Sequence, residues 1–182
     1  VPTKHRQYTI RNVNFLTKDN LINQENNYTG YQSLQHKGLQ IFYQDKMYIR
    51  PNTLSNFNYI RPNKLYSEQD VQNTYTSMGR LRALKYTNIR FDEVLDNDSA
   101  QLDANVLLTK GKNQSLSFEI EGTNSAGDLG AAASMTFQHR NVFKGSETFT
   151  MKVRGAYEAI TGLQEGYEND DYKEYGIEAS LN

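Results

Sequence analysis

Long stretches of alternating apolar and polar residues fill the last third of the chain, and this pattern constrains the fold most. In residues 115–122, Leu116, Phe118 and Ile120 share one face. Similar stretches follow at 129–140, 147–157 and 172–182. Because successive side chains of a strand point to opposite faces, each stretch predicts a strand with one apolar and one polar face. Strands of about ten residues with two such faces occur in half-buried soluble sheets and in the walls of transmembrane β-barrels.

The connections between these strands alternate in length. Residues 140–146 form a short turn, whereas 158–171 form a long, acidic connection that contains the sequence EGYENDDY. Short turns on one side and long loops on the other are typical of a barrel in an outer membrane. The order predicts an antiparallel meander.

Composition excludes some classes of protein. The chain has 182 residues, a net charge of -1 and a mean hydropathy of -0.78. No apolar run approaches the roughly 18 residues that a membrane-spanning helix needs, although barrel strands are compatible with low mean hydropathy. Without net positive charge we expect no nucleic-acid partner.

The N-terminal part mixes strands and helices. Residues 8–16 predict a strand, and the change of apolar parity between Ile10 and Val13 indicates either a bulge or a different register. Residues 17–38 are rich in Asn and Gln and predict an inserted loop. Residues 39–51 contain two short β-like runs around Gln44-Asp45, which predict a hairpin, and 52–60 predict a short helix.

The clearest helix follows Ser67. Ser67 can cap it, with Asp70 in a position like that of a capping box. An apolar stripe then recurs at helical spacing and comprises Val71, Thr74, Tyr75, Met78 and Leu81. We interpret the stripe as a face that packs into a core.

Two alternating segments come next, 86–94 and 101–110, joined by a polar turn at Asp96–Ser99. We expect one shared core that contains Val71, Tyr75, Met78, Ile89, Val106 and Leu108. The first half is therefore predicted as strand, helical region, helix, strand, strand, an α+β arrangement.

This order, with KLYSEQDVQNTYTSMGRLRALKYTNIRF at its centre, resembles a POTRA domain. Asn63 or Lys64 stands where that family usually has Gly, at a turn that Asn tolerates. The following GTNSAGDLGAAASMTFQHRNVFKGSETFTMKVRGAYE and YKEYGIEASLN resemble the first four barrel strands of the BamA/TamA outer-membrane assembly superfamily, the bacterial surface antigen superfamily. The resemblance spans about residues 60–182, and the polar insertion at 17–40 resembles Bacteroidetes-type members.

The resemblance implies an α+β fold in which a POTRA-like β-α-α-β-β domain at 1–111 precedes an antiparallel β meander at 112–182. The meander would be the incomplete start of a transmembrane β-barrel. The implied function is to help fold and insert β-barrel proteins into the bacterial outer membrane, with the POTRA part in the periplasm. Implied partners are unfolded outer-membrane proteins, other subunits of the assembly machinery and outer-membrane lipid.

Strand pairing would perform this function. An unfolded barrel segment carries backbone N–H and C=O groups that are costly to leave unpaired in lipid, and an open sheet edge can satisfy them. In the POTRA-like domain the candidate edge residues are Tyr86, Asn88, Arg90 and Asp92. In the first barrel strand they are Ser115, Ser117, Glu119 and Glu121.

No catalytic, cofactor-binding or metal-binding residues are predicted. His5, His36 and His139 lie far apart in the sequence, and the chain lacks the nucleotide-binding and nucleophile motifs. We therefore expect no enzyme and no cofactor.

Two alternatives remain. The chain could be a soluble β-rich binding or adhesion module with a sandwich core of Leu116, Phe118, Met135, Phe137, Phe149 and Met151. It could also belong to a two-partner secretion transporter, which differs in its substrate. The chain is expected to be a piece of a longer protein. Because four strands cannot close a barrel, a strand-exchanged dimer of this piece is expected.

Overall fold

The computed structural model describes residues 7–19, 29–96, 99–125, 128–159 and 171–182. These residues form a mostly β fold of the α+β class with two sheets and two helices. The chain divides into two compact units, the first comprising 1–112 with 143–146 and the second 113–142 with 147–182. Within the described ranges, no helix is long and apolar enough to span a membrane.

The first unit contains a mixed five-stranded sheet. Its strands are β1 (Thr9–Lys18), β2 (Gln32–His36), β3 (Leu39–Tyr43), β4 (Leu84–Asp96) and β5 (Ser99–Lys110), in the spatial order β2-β3-β1-β5-β4. β1 runs parallel to both of its neighbours, while β2-β3 and β4-β5 are antiparallel. The predicted bulge in the first strand is confirmed, because the register of β1 against β5 shifts between Ile10 and Asn12.

The insertion contains more structure than predicted. The expected loop at 17–38 includes β2, and residues 20–28 lie outside the described ranges. The hairpin predicted around Gln44-Asp45 is wrong, because β3 pairs with β2 before it and the residues after it form no strand. The actual turn is Lys37-Gly38, with φ of 49° and 80°. Positive φ at both central residues matches the twist of a two-residue hairpin.

Two helices follow the inserted hairpin, α1 (Pro51–Phe57) and α2 (Glu68–Met78). The predicted cap of α2 is confirmed, since the Ser67 side chain accepts a hydrogen bond from the Asp70 backbone N–H at 3.3 Å. Asn63 has a φ of 61°, the left-handed conformation that explains why Asn can replace Gly there.

One core lies between the helices and the sheet. The predicted shared core is confirmed, with Met78, Ile89, Val106 and Leu108 buried in it and Val71 and Tyr75 packed against it. It also contains Val13 and Phe15 from β1, Ile41 from β3 and Leu54 from α1. Leu81, predicted on the helical stripe, is buried beyond the end of the helix. The helices therefore cover the apolar face of the first sheet.

The second unit contains a four-stranded sheet. Its strands are β6 (Gln114–Ser125), β7 (Asp128–Arg140), β8 (Thr148–Ala159) and β9 (Asp171–Leu181), in chain order and with every pair antiparallel. The four predicted strands and their meander order are confirmed. Most of the acidic connection at 158–171 lies outside the described residues.

Candidate functional site

The two faces of the second sheet differ in chemistry. Cross-strand register aligns Phe118 with Met135, Met135 with Val153 and Val153 with Ile177, so one row of apolar side chains crosses all four strands. A neighbouring row aligns Leu116, Phe137, Met151 and Ala179 in the same way. We call the side of the sheet that bears these rows, together with Ile120, Phe149, Tyr157, Tyr175 and Leu181, the apolar face.

The apolar face is most exposed on the edge strands β6 and β9, and Phe137, Phe149, Met151 and Val153 on the central strands are half-buried. The exposed fractions are 70% for Phe118, 86% for Ile120 and 76% for Ile177. None of the residues of this face belongs to the core cluster of the described chain. Contiguous exposed apolar side chains of this kind mark a surface for a partner or a membrane.

The apolar face is shorter than the apolar band of an outer-membrane barrel wall. Along β8 it runs from Phe149 to Gly155, about 20 Å at the usual strand rise of about 3.3 Å per residue. At one end Tyr175 lies opposite Gly155, Tyr157 lies opposite Lys173 in the next row, and Asp171 follows in the row after that. An apolar band about 25 Å tall, bordered by aromatic residues, is the pattern of an outer-membrane barrel wall.

The opposite side of the second sheet is the polar face. The Lys152 ammonium lies 3.8 Å from a Glu119 carboxylate oxygen, and the Arg154 guanidinium lies 3.7 Å from Glu121 and 4.0 Å from Glu174. The Ser134 hydroxyl donates to Glu119 at 3.2 Å. These partly exposed pairs contribute little stability individually, and together they keep this face hydrophilic.

On β6 the hydrogen-bonding pattern decides which residues have backbone groups at the open edge of the sheet. β6 ends the sheet order, so one of its sides is unpaired in the described residues. The Arg140 N–H donates to the Asn113 carbonyl at 2.7 Å. Hydrogen-bonded pairs alternate along an antiparallel ladder, so Ser115, Ser117, Glu119 and Glu121 direct their backbone groups toward β7. The outward backbone groups belong to the alternate residues, which include Leu116, Phe118 and Ile120.

β4 is likewise the last strand of its sheet. Tyr86, Asn88, Arg90 and Asp92 pair with Thr109, Leu107, Asn105 and Asp103 of β5. The backbone N–H of Ile89 points the other way and donates to the Tyr75 hydroxyl at 2.8 Å. The four predicted residues therefore direct their backbone groups toward β5, and their neighbours supply the outward edge. Their role in pairing remains a prediction.

The sequence interpretation missed the second role of Tyr75. It placed this residue on the core stripe of the helix, and its ring does pack against the core. A half-buried tyrosine hydroxyl usually finds a hydrogen-bond partner, and this was the available signal. The identity of that partner depends on the distance between α2 and β4.

A groove of about 210 Å³ lies beside this contact. Tyr75, Met78 and Gly79 line it from the end of α2, and residues 84–87 line it from β4. The Lys85 ammonium lies 5.1 Å from the centre of the Tyr86 ring, and Tyr86 is 57% exposed. An extended segment added to β4 would run past this groove.

The chemistry available elsewhere is limited. Across the described ranges, no three His, Asp or Glu side chains lie close enough together to share a metal ion. In the first unit the Tyr48 hydroxyl donates to the Ala83 carbonyl at 2.8 Å. Burial raises the pKa of Tyr48 above its ordinary value of 10.0.

Comparisons with known proteins find structural neighbours of the chain. No protein-family model and no curated protein sequence matches the chain. Among solved structures the chain is similar to BamA from Haemophilus ducreyi lacking POTRA domains 1–3, with a TM-score of 0.43 and 10% identity. The match covers 96% of this chain and 32% of that one, so the chain spans about a third of its length. A TM-score of this size decides neither the fold family nor the function.

Proposed function

We propose that the chain is part of an outer-membrane assembly factor that helps fold and insert β-barrel proteins by strand templating. The first unit is then a POTRA-like domain in the periplasm. The second unit is the opening four strands of a barrel wall in the outer membrane. The proposed activity pairs backbone groups and makes no covalent bond, so the protein is not an enzyme and uses no cofactor.

The exposed apolar face of the second sheet is the observation that supports this proposal most. A soluble sheet hides such a face, whereas a barrel wall turns it toward lipid. Ile120 and Ile177, at 86% and 76% exposed, lie where lipid chains would contact the wall. The charged residues of the polar face, such as Lys152 and Glu119, would then face the barrel interior.

The first unit supports the proposal through its order of elements. Strand, two helices and two strands follow one another as in the POTRA-like pattern, with the β2-β3 hairpin inserted after the first strand. β4 is the last strand of its sheet and pairs there with β5, which makes it an edge strand in the described residues. An edge strand can accept an extended client segment by β-augmentation.

The sandwich module is less well supported. It requires Leu116, Phe118, Met135, Phe137, Phe149 and Met151 to pack together as a core. Leu116 and Phe118 are 54% and 70% exposed instead.

Vesicle reconstitution tests the proposal. The full chain is incorporated into vesicles of phosphatidylethanolamine and phosphatidylglycerol, and a urea-unfolded eight-stranded barrel protein is added. We expect faster appearance of the folded, protease-resistant client than in empty vesicles. Equal rates in both preparations would contradict the proposal.

A proline variant locates the activity on β6. Leu116→Pro removes an outward N–H, while Leu116→Ala shortens the side chain and keeps that donor. We expect the proline variant alone to lose the acceleration. Equal loss in both variants would indicate that the side chain acts, and not the edge.

A further inference from the structure

A side-chain hydroxyl occupies part of the open edge of the first sheet. The Ile89 N–H on the outer side of β4 donates to the Tyr75 hydroxyl at 2.8 Å. Ile89 is only 9% exposed, so this donor has little access to water. An amide in such a position needs a protein partner, and Tyr75 provides it.

Strand addition requires this same donor. A segment that pairs along β4 uses the backbone groups of alternate residues, and Ile89 lies near the middle of the strand. As long as the hydroxyl occupies the Ile89 N–H, the carbonyl of an incoming segment cannot bond to it. The buried amide would otherwise remain unpaired, which costs free energy.

The neighbouring groove provides space for the Tyr75 side chain in another rotamer. It holds about 210 Å³ and is lined by Tyr75 itself, by Met78 and Gly79, and by residues 84–87 of β4. A change of the Tyr75 rotamer toward this groove would free the Ile89 N–H while the ring stayed beside Met78 and Leu84.

We infer that Tyr75 gates strand addition at β4. Its hydroxyl closes the edge in the unoccupied protein, and a client segment opens it by replacing the hydroxyl with a backbone carbonyl. This inference rests on the proposed function, because it concerns regulation of the edge that would receive clients. It favours clients that can form several further ladder bonds, since these offset the lost contact.

The test compares Tyr75→Phe with the unchanged full chain. The variant keeps the ring and removes only the hydroxyl. Hydrogen exchange measured by NMR reports the Ile89 amide directly, and fluorescence anisotropy reports binding of a labelled peptide with the sequence SLSFEIEG. Tyr59→Phe is the matched control, because Tyr59 is 48% exposed and does not contact the Ile89 amide.

We expect faster hydrogen exchange at the Ile89 amide in Tyr75→Phe. We also expect about 2- to 12-fold tighter peptide binding, because the peptide carbonyl no longer has to displace the Tyr75 hydroxyl from the Ile89 N–H. Tyr59→Phe should change neither. Unchanged exchange at Ile89 would overturn the gate. Faster exchange with equal peptide affinity would also overturn it while leaving the proposed function in place. Peptide binding to none of the three proteins would instead contradict the proposed function.

Discussion

The two sheets of this protein share one sequence pattern and differ in what covers them. In the first sheet the apolar side chains of Phe15, Val106 and Leu108 are 0% exposed beneath two helices. In the second sheet Phe118 and Ile177, on the apolar face of the two edge strands, are 70% and 76% exposed, and Val153 between them is half-buried. Alternation therefore identifies a strand and its apolar face, while the covering layer decides whether that face is a core or a surface.

A charge placed in each apolar layer should separate the two sheets most strongly. Met78→Asp puts a carboxylate at a position that is 0% exposed, and we expect a loss of at least about 3 kcal/mol in the free energy of unfolding of the first unit. Ile120→Asp, at a position 86% exposed, is the control and should leave that unit unchanged. Thermal and denaturant unfolding of the full chain measures both. Equal melting of Met78→Asp and the unchanged chain would show that α2 does not pack as described.

In the presence of lipid, we expect a charge on the apolar face of the second sheet to have a large effect. In water Phe118→Arg should leave the unfolding of the first unit unchanged, whereas in vesicles it should weaken membrane association by about 2–4 kcal/mol if the apolar face contacts lipid. Ser117→Arg changes the neighbouring residue on the polar face and should have a smaller effect. Vesicle flotation measures the bound fraction. Equal effects of the two arginines would argue against a lipid-facing wall.

Without lipid, we expect the second sheet to pair with the second sheet of another copy of the chain. Light scattering of the detergent-free chain is expected to give twice the monomer mass of 20.9 kDa, because a strand-exchanged dimer covers open edges and apolar face together. Ile177→Asp should weaken this dimer at least about tenfold, since it removes a large apolar contact. A monomer at all concentrations would contradict this expectation.

The cap of α2 should have a modest effect confined to the first unit. Ser67→Ala removes the acceptor for the Asp70 N–H and should cost about 1 kcal/mol of unfolding free energy. Ser77→Ala, inside the same helix, is the control and should cost nothing. Denaturant titration followed by circular dichroism compares them, and equal midpoints would show that the cap does not stabilise the helix.

Alkaline pH should give the smallest change. The pKa of Tyr48 is raised by burial, so its contribution to stability is complete below pH 10.0 and is lost as pH rises through the folded-state pKa. The Lys110 ammonium lies 5.5 Å from the centre of the Tyr48 ring. The negative charge of Asp19 also raises the pKa of Tyr48. Tyr48→Phe should flatten the fall of the melting temperature above pH 10.0. An identical pH profile in both proteins would exclude Tyr48 as its source.

Much of the architecture was predictable because its signals are local. The Ser67 cap, the apolar stripe of α2 and the alternation of the last four strands depend on residues close in sequence, and the structure confirms them. The inserted hairpin was misplaced because apolar alternation after Gln44 suggested a strand. The Lys37-Gly38 turn, a short-range signal with positive φ at both residues, was the better guide.

The sequence by itself determined which residues form strands, which face of each strand is apolar and where α2 begins, because these depend on side-chain periodicity and local hydrogen bonds. Only the tertiary structure decided that helices cover one sheet and leave the apolar face of the other exposed. It also decided which backbone groups of β4 and β6 point outward, and that Tyr75 occupies one of them. These outcomes depend on distances between residues far apart in the chain, and a linear pattern does not contain those distances.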